Sequence, residues 1–198
     1  WLCHGSPSRL LVTGALTTIA VAGLVAVAAA LVSRIAAGLG IAGILLEALA
    51  LSSLLSLRDL IGAARSVARD LDRGDLAAAR EALGYHLVSR PTAAPDEAQV
   101  ASATIESVAE NLTDSLVAPV SFFLAGGLVG AAVYRVINTA DSVLGFRRGP
   151  LEYFGKSAAR LDDFVNLIPA RIAGLSLVAG AGLAGEGPGG AVGAVRRD

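Results

Sequence analysis

Residues 10–33, LLVTGALTTIAVAGLVAVAAALVS, carry no charged side chain. At 1.5 Å per residue a helix of this length reaches about 36 Å, enough to cross a hydrocarbon core of roughly 30 Å. A secretory signal has a shorter apolar core and a small-residue cleavage site, so the stretch reads as a transmembrane helix. Composition points the same way. The 198 residues are 54% hydrophobic and only 17% charged, against about 25% charged in soluble domains. An ordinary water-soluble domain is thereby disfavoured.

The remaining apolar segments follow in order. Residues 35–57 are interrupted only by Glu47, and Arg34 leaves almost no loop before them. Residues 1–57 are therefore expected to form a transmembrane hairpin or one long bent helix. Glu47 near mid-span would face a partner or a cavity, or else sit protonated or snorkelling near a helix end. Residues 58–114 hold about half of the chain's charges. There Leu60, Ile61, Ala64, Val67, Ala68 and Leu71 recur at helical spacing, with Arg65, Arg69, Asp72 and Arg73 on the other flank. An amphipathic helix results. Gly74 breaks it, Asp75 can cap a second helix to Leu83, and a third is expected over 97–114.

Residues 115–134 are again uncharged but contain Pro119 and the pair Gly126–Gly127. The expected polar loop 138–164 precedes a last apolar stretch, 165–185, and a Gly-rich flexible tail, 186–198. The expected fold class is all-α: a polytopic membrane protein with about four apolar helical segments and a polar helical segment between the second and third. Six arginines within 58–114 place that segment in the cytoplasm by the positive-inside rule. Localisation is expected at a prokaryotic cell membrane, multi-pass. The chain has no Met and begins at Trp1, which reads as a piece of a longer protein.

Several chemistries are disfavoured. A net charge of −1 gives no global excess for nucleic acid. Cys3 is the single cysteine and His4 and His86 the only histidines, so disulfide frameworks, Cys-based zinc sites and a Ser-His-Asp arrangement fall away. Gly149 to Ser157 resembles a phosphate-binding P-loop, yet five residues separate its glycines where four are needed.

Carboxylates, arginines and amides remain. Glu106, Glu110 and Asp114 are spaced i, i+4, i+8, which places them on one helical face, with Ser107 and Asn111 alongside. Such a stripe is either a solvated face or a site for a cation. Hard oxygen ligands suit Mg²⁺, which takes one or two carboxylates plus substrate phosphates. Tyr134, Arg135, Asn138, Thr139 and Asp141 form a second set, either functional or an interfacial anchor at headgroup level. In the third, Arg160 and Asp163 can pair at i, i+3, leaving Asp162 and Asn166 as an unpaired face; Arg171 follows one turn beyond.

The motifs Thr104-Ile-Glu106-Ser107-Val-Ala-Glu110-Asn111, Asp114, Ala118-Pro119, Tyr134-Arg135, Asn138-Thr139, Asp141-Ser142, Phe154-Gly155, Ala159-Arg160-Leu-Asp162-Asp163, Asn166 and Ile168-Pro169-Ala170-Arg171 stand in this order. The series resembles the CbiB/CobD family of cobalamin biosynthesis, the membrane-bound adenosylcobinamide-phosphate synthases, from about Glu47 to Leu177. The resemblance implies an ATP-dependent amide ligation of adenosylcobyric acid with (R)-1-aminopropan-2-ol O-phosphate or a related amino alcohol. Partners would be these small molecules, the lipid bilayer and other late cobalamin-assembly membrane enzymes, with no nucleic acid. ATP and Mg²⁺ would serve as co-substrate and metal, and an adenosylcorrinoid as substrate.

On that basis Glu106, Glu110 and Asp114 are expected to hold Mg²⁺, with Asp162 and Asp163 completing an acidic catalytic site. Arg90, Arg135, Arg160 and Arg171 would contact phosphates, and Asn111, Asn138 and Asn166, with Asp141, would orient substrate. The chain departs from the family where Arg90-Pro91-Thr92 replaces Arg-Asp-Thr. The family's Gly-Asp-Pro, His-Pro-Val and His-Pro-Ser-Pro-Asn-Ala-Gly elements are absent too. A straight span over 115–137 would put Glu106 and Asp162 on opposite membrane sides. A re-entrant hairpin bent at Gly126–Gly127, or a span whose ends converge on a polar cavity, would bring Glu110 and Asp162 within about 20 Å, the limit for bridging by phosphates and Mg²⁺. A corrinoid or anion transporter and an inactive paralogue are the competing readings.

Overall fold

A computed structural model describes residues 6–86, 95–145 and 151–183, and among these every regular element is helical. The helices are α1 (Pro7–Ala37), α2 (Ile41–Leu54), α3 (Leu57–Asp72), α4 (Leu76–His86), α5 (Glu97–Leu112), α6 (Ala118–Leu144), α7 (Leu151–Phe154), α8 (Lys156–Val165) and α9 (Leu167–Leu183). A π-turn, Thr113–Val117, joins α5 to α6. Two helical runs are long and apolar enough to cross a membrane, Pro7–Ala37 and Glu97–Leu144, or up to four if each of two bent helix pairs forms one span. Arg90 and the tail 186–198 lie outside the described residues.

The chain divides into two compact units, one made of the residues up to Leu55 with Val117–Pro169, the other of Ser56–Leu116 with the residues from Ala170. In the first unit α1 opens on Pro7, whose fixed φ suits the first helical position. The hydroxyls of Thr13, Thr17 and Thr18 donate to carbonyls one turn back, at 2.8–3.1 Å, which satisfies them inside an apolar helix. Only 11% of its most apolar window is buried. Leu16, Ile19, Leu24, Val27 and Leu31 all face outward, an exterior suited to lipid rather than water.

After the turn at Gly38–Gly40, α2 runs back along α1. Ala50 and Leu54 pack in the cluster of Val25, Ala29 and Val32, with Leu128 and Ala132 of α6. Gly43 is required here, because any Cβ would strike the Ala36 carbonyl. α1 and α2 pack together as a helical pair, but α2 has 14 residues, about 21 Å of rise. It is too short to cross alone. Its apolar run ends where Leu55 turns extended (ψ 141°).

Within α6 the chain reverses. Gly126 (φ −140°, ψ 18°) and Gly127 (φ 62°, ψ −157°) leave the helical region, the latter at a φ that side chains resist. Phe122 and Tyr134 stack with centroids 5.1 Å apart, whereas residues twelve apart on a straight helix lie about 18 Å apart along the axis. Gly130 touches the Phe122 carbonyl so closely that no Cβ fits between them. Residues 118–125 and 128–144 are thus two arms of a hairpin, and the 48-residue helical run is not a single rod. The polar stretch 138–164, expected to be a loop, is largely helix: α6 continues to Leu144, and α7 and α8 cover 151–165. Gly14 lets α1 meet α7, since its Cβ would collide with the Phe154 carbonyl.

The second unit contains a polar three-helix bundle of α3, α4 and α5 around Val67, Ala79, Leu83 and Val100. As expected, Asp75 caps α4 by accepting from the Ala78 amide at 3.0 Å. Asp96 and Gln99 close a reciprocal capping box on α5 (2.8 and 2.9 Å).

Candidate functional site

In the first unit a chain of side chains joins α6 to α8. Tyr134 and Asn138 are one turn apart on the second arm of α6, as are Asp162 and Asn166 at the end of α8, so each pair presents two groups on one face. The Tyr134 hydroxyl donates to Asn166 Oδ1 (2.9 Å). Asn166 Nδ2 donates to Asp162 Oδ2 (3.0 Å), and Asn138 Nδ2 reaches Asp162 Oδ1 (3.5 Å). Arg135 Nη1 donates to Asn138 Oδ1 (3.4 Å), and Ser142 Oγ donates to the Asn138 carbonyl (3.0 Å). Tyr134, Asn138 and Asp162 are 1%, 7% and 9% exposed. A carboxylate this buried is tolerable because amide donors meet both of its oxygens.

Asp162 and Asn166 are therefore not the unpaired face that their spacing suggested: α6 supplies the partners. Nor is Tyr134 a lipid-facing headgroup anchor, being enclosed and stacked on Phe122. Its adjacency to Arg135 masked it; the useful signal was its i, i+4 relation to Asn138. Asp141 lies one turn further, half-buried, with its carboxylate where a Gly145 Cβ would stand. Beside the network is a cavity of about 380 Å³ between α1, α2 and α6, walled by Val21, Val25, Leu54, Val136, Ala140 and Val143. Its polar groups are Arg135, Thr17, Thr18 and Thr139. Arg135 thus faces an apolar hollow while bound to Asn138.

Asp163 and Arg160 are exposed on α8. Successive helical residues differ by about 100° in direction, so Asp163 cannot share the enclosed face of Asp162. In the second unit Glu106, Glu110 and Asn111 are exposed on α5, and the Asn111 amide donates to the Ser107 carbonyl (2.8 Å). Asp114 is half-buried in the π-turn. Asp114 is thus more enclosed than the exposed Glu106 and Glu110. Among the described residues no three His, Cys, Asp or Glu side chains are grouped to hold a metal ion. Arg171 is exposed on α9. The structure gathers Arg135, Asn138, Asp162 and Asn166 around Tyr134; Glu106, Glu110, Asn111, Asp114 and Arg171 belong to the other unit.

The family model for the CobD/Cbib protein matches residues 2–198. A cobalamin biosynthesis protein CobD of Rhodobacter capsulatus is 39% identical over 175 residues, 88% of this chain and 54% of that protein. The protein of the same name from Geobacter metallireducens is 42% identical over 145 residues, 73% of this chain and 45% of its own length. A probable cobalamin biosynthesis protein CobD of Thermococcus kodakarensis is 57% identical over 86 residues, covering 43% of this chain and 29% of that protein. The chain spans about a third to a half of the length of the curated relatives it matches. No solved structure matches the chain.

Proposed function

This chain belongs to the CobD/CbiB family, and we propose that it serves cobalamin biosynthesis as part of an ATP-dependent membrane ligase. The reaction would join a carboxylate of adenosylcobyric acid to the amine of (R)-1-aminopropan-2-ol O-phosphate or a related amino alcohol. ATP would transfer its terminal phosphoryl group to the carboxylate oxygen and leave as ADP; the amine nitrogen would then form the new carbon–nitrogen bond and give up a proton as the carbon–oxygen bond breaks and phosphate leaves.

The observation that supports this reading is the Asp162-centred network. Asn138 and Asp162, 24 positions apart, and Tyr134 and Asn166, 32 apart, join in one network around a buried carboxylate beside a cavity that Arg135 helps to line. Such a constellation is fixed before substrate arrives, as positioning demands. Arg135 would hold a phosphate or the corrinoid carboxylate by charge-assisted hydrogen bonds. Asn138 and Asn166 would set the orientation of Asp162, and the exposed Arg160 and Arg171 would each meet phosphate.

For Mg²⁺ the three-carboxylate set is not the fitting donor group, since among the described residues no three acidic side chains are grouped to hold a metal ion. The pair Glu106 and Glu110 fits better: one or two carboxylates suffice when phosphates and water complete an octahedral shell. When bound there, the metal would neutralise phosphate charge.

The test uses membranes containing the full-length protein, with adenosylcobyric acid, aminopropanol phosphate, ATP and Mg²⁺. Amide product is expected from the parent protein and is expected to be lost in Glu110→Gln and Asp162→Asn. ATP-independent uptake without product would indicate a transporter, and neither product nor uptake an inactive paralogue.

A further inference from the structure

The Asp162 network has a support that the family motifs do not contain. Tyr134, its buried end, is stacked within 13° of parallel on Phe122, and Phe122 lies on the opposite arm of the α6 hairpin. The same arm presses its Phe122 carbonyl against Gly130. Two separate contacts thus fix residue 122 over the turn that carries Tyr134. From Tyr134 the hydroxyl passes to Asn166, and Asn166 to Asp162. Within this series of contacts a shift of the Tyr134 ring moves the donor that holds one Asp162 oxygen.

We propose that Phe122 is a positioning residue: the ring clamps Tyr134 so that Asn166 and then Asp162 are held in the geometry the ligation requires. The inference rests on the ligase reading for its kinetic consequence, but not for its structural one. Buried rings in offset-stacked contact have defined separations and orientations, and an aliphatic side chain of similar size fills the volume without reproducing them. The clamp is therefore a property of the ring rather than of bulk.

The experiment compares Phe122→Leu, Phe122→Tyr, Tyr134→Phe and the double variant Phe122→Leu/Tyr134→Phe in the full-length protein. Phe122→Leu is expected to lower kcat roughly tenfold, less than the roughly hundredfold that a 1 Å misplacement can cost, with KM for ATP unchanged within about twofold. Phe122→Tyr keeps the ring and should restore the rate. Since both single changes act through the same hydroxyl, the double variant should be no slower than Tyr134→Phe by more than about twofold. Full activity in Phe122→Leu, or multiplicative losses in the double variant, would overturn the clamp. A readout independent of turnover is hydrogen exchange of amides 158–166, expected to speed up in Phe122→Leu and not in Phe122→Tyr. Unchanged exchange in Phe122→Leu refutes the inference even where the parent protein forms no amide, whereas faster exchange without amide formation leaves the clamp standing and removes only the ligase reading.

Discussion

Asp162 illustrates how much a single buried carboxylate asks of its surroundings. Both oxygens are met by side-chain amides. Replacing Asn138 with Leu keeps the volume and removes one donor, and the expected loss is about 1–3 kcal/mol of stability, the range for stranding a buried polar group. Unfolding by sodium dodecyl sulfate in mixed micelles would measure it, and an unchanged midpoint would mean that Asn138 carries no such role. The residue types in this site were visible in the sequence, as was the i, i+4 relation of Asp162 to Asn166. Their partners were not, because nothing in local spacing reports that α8 lies against the second arm of α6. Tyr134 stood between two readings for a related reason: beside an arginine it has the signature of a headgroup anchor as much as of a functional group, and only burial tells the two apart.

Among the elements, those governed by local chemistry were the easiest to read. Gly74 and Asp75 mark the end of α3 and the cap of α4, and Asp96 with Gln99 opens α5. Asp75→Ala should cost about 1 kcal/mol, visible as faster hydrogen exchange confined to the first turn of α4. Exchange spread evenly over the bundle would show that the cap has a different function. The π-turn at 113–117 was not legible, since a single extra residue in a helical turn leaves hydrophobic periodicity almost intact. The α6 hairpin occupies a middle position. Two adjacent glycines marked the bend, but the choice between a sharp reversal and converging ends needed the Phe122–Tyr134 contact to settle it.

For the whole molecule, the all-helical class was legible in the sequence, while the division into units was not. A sequence is read in order, and the first unit is assembled from two stretches on either side of the bundle. The outward apolar side chains of α1 make a direct prediction about the solvent each unit meets. In a Trp1→Phe background, Leu24→Trp, at a position 72% exposed, should be quenched by brominated lipid. Tyr85→Trp, at an 83% exposed position of α4, should be quenched by acrylamide in water. The reverse pattern would contradict a bilayer around α1. The glycine contact between α1 and α7 also has a consequence in time. Gly14 and Phe154 are about 140 residues apart, and at roughly 5–20 residues per second the ribosome needs on the order of ten seconds to make that interval. During it the bundle around Val67 and Val100 can close from neighbouring sequence, while the groove on α1 waits for the helix that will fill it. Of the helices described, α1 is made first and completes its packing among the last.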